Sequence, residues 1–129
     1  MGRRSRAGIL AMACALAVAV SAQVASGHKI AFDTSLQLKA SKIDDVTNEY
    51  SGKVNSIRAK CEVGRRITVT ANGAVVATAT SVVGGAWAAT GTAPPKNTTL
   101  IATVSRKVLK KNKKHRHKCR PDSATRKAP

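Results

Sequence analysis

Aromatic side chains are almost missing from this chain: Phe32, Tyr50 and Trp87 are the whole set in 129 residues. Stacking on bases or sugar rings uses several aromatic platforms in a row, so this scarcity argues against either as a mode of recognition. Acids are scarce too, six against 23 Lys and Arg, for a formal charge of +17. No Ser–His–acid grouping and no carboxylate pair suited to proton transfer can be argued from spacing, and an enzyme is not expected. No cofactor and no small-molecule substrate is implied either. The longest apolar run, Ala7 to Val20, falls short of the ~20 residues that carry a helix across a bilayer.

That run has a different use. Arg3, Arg4 and Arg6 precede it and small residues follow as far as Gly27, the order of a secretory signal peptide. Residues 1–27 are therefore expected to be removed, with the cut after Ala22 or after Gly27. Arg3-Arg4 as a twin-arginine signal fits Ser5, Arg6 and Ala7 poorly. Cys14 as a lipidated cysteine is disfavoured because apolar sequence continues past it. The mature part, 28–129, is one domain near the lower size limit for an unaided core. Losing three arginines and no acid lowers its charge from +17 to +14.

Val, Thr, Ala and Ile dominate the remainder, a composition of half-buried strands. Ile30, Phe32, Thr34, Leu36 and Leu38 alternate with polar neighbours and share one face of an opening strand. Ser41–Glu49 reads as a loop, and its Asp44-Asp45 pair, lacking a third ligand, reads as solvated turn residues and not as a calcium site. Strands follow around Val54 and over Arg65–Ala71, with Ile67, Val69 and Ala71 facing one way. Asn72-Gly73 between alternating segments predicts a type I′ hairpin into Ala74–Val83. Gly84-Gly85 turns the chain into Ala86–Thr90, where Trp87 is the one residue large enough to fill an aliphatic core. A lone carbohydrate platform is the competing role for it. Pro94-Pro95 places a surface loop before Leu100, Ala102 and Val104, and Asn97-Thr98-Thr99 matches the N-glycosylation acceptor pattern. About seven short strands with turn signals between them predict an all-β sandwich.

Arg106 to Lys118 contains eight Lys or Arg, two His and no acid. Such a block repels itself and belongs in a solvated hairpin. Lys110, Lys111, Lys113, Lys114, Arg116 and Lys118 are its candidate polyanion-binding residues, because concentrated charge raises the local density of an anionic polymer. Solubility alone is the plain alternative. Cys61 and Cys119 are the only cysteines left once Cys14 departs, so in an oxidising compartment they are expected to pair. His115, His117 and Cys119 alternate as metal ligands on a strand would, but the surrounding cations oppose a metal and a disulfide would remove the thiolate.

Tyr50-Ser51-Gly52-Lys53-Val54-Asn55-Ser56, Cys61, Arg65-Arg66-Ile67-Thr68-Val69, Gly84-Gly85-Ala86-Trp87 and Cys119 with Ser123 four residues on resemble small secreted actinobacterial two-cysteine domains. Those look like carboxypeptidase-regulatory or transthyretin-like β-sandwiches. Family members carry Asp or Asn in the turn before Gly-x-Trp, where this chain has Ser81, Val82 and Val83. The resemblance implies a single immunoglobulin-like or transthyretin-like sandwich without catalysis, and it supplies no site residues. The functional expectation is a secreted structural or interaction module at the cell surface. Its partner is an anionic cell-wall polymer or a membrane surface, and the alternative is non-specific nucleic-acid binding.

Overall fold

The computed structural model describes residues 29–110 and 116–129. The signal-peptide reading of 1–27 therefore lies outside the described residues. Within them the chain is almost entirely strand: β1 (Lys29–Phe32), β2 (Ser35–Leu36), β3 (Lys39–Lys42), β4 (Thr47–Asn55), β5 (Arg66–Ala71), β6 (Ala74–Thr80), β7 (Ala86–Thr92), β8 (Thr99–Val104), β9 (Lys107–Lys110), β10 (Arg116–Cys119) and β11 (Asp122–Lys127). A 3-10 turn over Ala59–Cys61 interrupts them.

Period-two burial explains the layering. In β5 the apolar residues Ile67, Val69 and Ala71 are buried, and in β8 Leu100, Ala102 and Val104 are buried while their neighbours face outward. One sheet thus runs β11-β8-β5-β6 with a single apolar face. The second is built on β4, which pairs with β7 along one side and with β2 and β3 along the other. Leu36, Leu38, Tyr50, Val54 and Trp87 close the core from that side. The expected all-β sandwich is the observed architecture, and each fully buried aliphatic contributes about 1.5–3 kcal/mol of transfer free energy to it.

Local chemistry sets the corners. Asn72 and Gly73 both adopt positive φ, 51° and 82°, as a type I′ turn requires, and they join β5 to β6. Gly91 on β7 carries a different constraint: a Cβ there would collide with the Val76 carbonyl, so the close crossing of β6 and β7 depends on its absence.

The strands outnumber the seven expected because two segments divide and because β3 and β11 form where no strand is expected. The opening strand breaks at Asp33-Thr34, leaving β1 in a separate small sheet while β2 joins β4. The strand expected to run from Leu100 toward Leu109 ends at Val104, and β9 leaves the sandwich. The Ser41–Glu49 loop shrinks to the four residues between β3 and β4.

Candidate polyanion-binding face

The described parts of the basic block, β9 and β10, are built into a third sheet, ordered β1-β10-β9. Strands β9 and β10 pair antiparallel, from Lys107↔Cys119 to Lys110↔Arg116. On its far side β10 pairs with β1 in parallel, with Lys29↔Arg116, Ala31↔Lys118 and Phe32↔Cys119 in register. Residues paired across strands share a face and residues two apart repeat it. Positions 110, 116, 118 and 29, all cationic, thus fall on one face of the small sheet together with Val108 and Ala31. The opposite face holds Cys119, His117, Leu109 and Phe32, and the Phe32 ring meets the His117 ring edge-on at 5.7 Å.

Three ties fix this sheet to the sandwich. The Cys61–Cys119 disulfide joins β10 to the 3-10 turn, with the Cα atoms 5.4 Å apart. The Lys107 ammonium, belonging to the basic block, turns inward and donates to the carbonyls of Lys60 at 3.1 Å and Val63 at 2.7 Å. The third tie is Arg65, only 1% exposed. Its Nε donates to Ser105 O, its Nη1 to Thr34 Oγ1 and Cys61 O, and its Nη2 to Ser105 O and Arg120 O. These bonds use all five donors of the guanidinium. Burial lowers its pKa, and no carboxylate accepts from it. One side chain thereby gathers the ends of β1, β8 and β10 and the disulfide corner.

The candidate residues separate accordingly. Arg116 is exposed and Lys118 half-buried, and neither has an acid partner among the described residues. Lys110 occupies its register position on β9. Lys111, Lys113 and Lys114 lie outside the described residues. Lys29 joins the set through a parallel pairing that no local pattern announces, whereas Arg58, seated 5.4 Å over the Phe32 ring, belongs to the opposite face.

Five of the six acids are engaged, and the sixth, Glu49, is exposed on β4. Asp33 pairs with Arg120 at 2.8 Å. Asp122 accepts the Leu36 N–H and Glu62 the Ser56 N–H. Asp44 accepts the Val46 N–H at 2.9 Å, a bond that holds its carboxyl below the usual range. Asp45 pairs with Lys42 at 3.0 Å, so the paired acids serve a turn at the far end of the sandwich. Cys119 is consumed by the disulfide, which removes it from the His115–His117–Cys119 pattern. Trp87 is 4% exposed, which rules out a carbohydrate platform in this conformation. No protein-family model, curated protein or solved structure matches the chain.

Proposed function

We propose that the chain is an exported, non-catalytic interaction module of the cell surface that holds anionic polymer on the cationic face of its three-stranded sheet. The carrying observation is the register that sets positions 29, 110, 116 and 118 on one face, with no acid across from them. Chemical selectivity would be low. Of the three aromatic rings Tyr50 and Trp87 are buried and Phe32 is packed between Arg58 and His117, so phosphate or carboxylate charge is what such a face reads. Nucleic acid would bind only as one more polyphosphate, through counterion release. The two-cysteine sandwich resemblance and the export reading belong to the same proposal, supported by the disulfide and the all-β core.

The test is binding to inorganic polyphosphate across a salt series. The logarithm of affinity should fall linearly with the logarithm of salt concentration, with a slope set by the phosphates neutralised. Changing Lys110, Lys111, Lys113, Lys114, Arg116 and Lys118 to Gln keeps the aliphatic stems and should flatten the slope and abolish binding. An unchanged slope in that variant would reduce the block to a solubility device.

A further inference from the structure

Large aliphatic side chains stand in water at the end of the sandwich that carries the disulfide. Ile57 is 92% exposed, Val83 86% and Val82 58%. Neither location has a local reason to be aliphatic. Val82 and Val83 begin a tight turn whose positive φ is supplied by Gly84 and Gly85, and turn positions of that kind ordinarily take Asn, Asp or Ser. Ile57 begins the segment that leads into the 3-10 turn.

The two segments leave the same end of the β4–β7 ladder. The Val54 N–H donates to Gly85 O at 2.8 Å, so β4 delivers Ile57 next to the turn. Gly64 N–H donates to Ser81 O and the Ser81 hydroxyl to Glu62 O, so the turn also abuts the segment that Lys107 binds. The aliphatic tips and the cationic sheet therefore share one end of the molecule. Lys53 pairs with Ala86 just after the turn and Arg66 with Thr80 just before it, while Arg58 and Lys60 follow Ile57 in the chain; the nearby Glu62 carboxylate is engaged with the Ser56 N–H.

The opposite end offers an internal comparison. Ile43 and Val46 are also exposed, but they bracket Asp44 and Asp45. Aliphatic exposure beside acids suits no anionic surface.

We propose that Ile57, Val82 and Val83 insert into the headgroup layer of an anionic lipid bilayer while the cations around them hold the lipid phosphates. This rests on the polyanion reading and names a lipid surface as the anion. Short aliphatic tips alone bind a bilayer weakly, as does a basic patch alone; two such signals together give stable attachment. A soluble polyanion would use the cations and leave the tips idle, which is why the exposed aliphatics favour a bilayer.

The experiment is co-sedimentation of the purified protein with vesicles of phosphatidylcholine, with and without about one-third phosphatidylglycerol, beside the polyphosphate assay. The protein should sediment with the anionic vesicles and not with the neutral ones. The triple variant Ile57→Asn, Val82→Asn, Val83→Asn should lose on the order of tenfold or more in vesicle partition, keep its polyphosphate affinity and keep its melting temperature. Ile43→Asn with Val46→Asn should change neither. Equal vesicle binding by the triple variant and the parent would overturn the proposal. So would a parent that binds polyphosphate but no vesicle, which would leave free polymer as the ligand. Failure to bind either would remove the polyanion reading together with this one.

Discussion

Arg65 shows how much a single side chain can organise. Its five donors satisfy carbonyl and hydroxyl oxygens from four separate parts of the chain. Arg65→Met would leave the buried Cys61 carbonyl and the part-buried Thr34, Ser105 and Arg120 oxygens without this donor, each lost bond costing about 1 kcal/mol or more. Arg65→Lys keeps the charge but cannot reproduce the planar fork, so it should rescue little. Urea midpoints of the two variants should both fall well below the parent, and their disulfide should reduce faster in dithiothreitol because the Cys61 carbonyl has lost its anchor. Equal midpoints for parent and Arg65→Met would show that water replaces the guanidinium. Trp87 tests the core in the same way. Trp87→Ala should lower stability by ~3–5 kcal/mol, and the parent's fluorescence should be blue-shifted and resist iodide. Gly52 lies against the indole: a Cβ there would meet the Gln37 carbonyl and stand 2.9 Å from Trp87 Nε1. That contact joins cross-strand partners on β4 and β7, which no local spacing announces.

At the scale of elements, β9 and β10 were legible as a basic hairpin, but what they join was not. The sequence pattern ends its strands near Leu109, whereas Asp122–Lys127 forms β11 at the edge of the sandwich, antiparallel to β8. Asp-Ser-Ala-Thr-Arg-Lys has little apolar periodicity to announce a strand, because only Ala124 packs against the core. Its position is set instead by a ladder to β8 and by the Asp122 carboxylate bound to the Leu36 N–H. The disulfide is the element-scale staple. With its cysteines 58 positions apart, the chain-entropy model assigns it about 4 kcal/mol. Replacing Cys61 and Cys119 together by Ser should lower the thermal midpoint substantially. It should also loosen β10 first, seen as faster amide exchange at Arg116–Cys119 than in β5 or β8. Uniform acceleration across all three strands would show that the small sheet and the sandwich unfold together.

For the whole molecule, the decisive quantity is where charge of one sign accumulates. Five of the six acids cap turns or pair locally, and none lies in register opposite positions 29, 110, 116 and 118. Export is the remaining expectation at this scale, and the mass of the protein recovered from the medium should correspond to a start at Gln23 or at His28, with the two cysteines oxidised. A mass including residues 1–22 would overturn the signal-peptide reading. The amino-acid sequence by itself determined the alternation that makes sheets, the Asn72-Gly73 and Gly84-Gly85 corners and the basic block, because each of these depends on neighbours a few residues apart, and the cysteine pair, because only two cysteines stand outside residues 1–27. Only the tertiary structure decided that Lys29 lies beside Arg116, that Arg65 and not an acid satisfies the disulfide corner, and that Ile57 and Val82-Val83 emerge together. Those pairings join segments far apart in the chain, and they follow from how two twisted sheets close on a shared core, which no local spacing encodes.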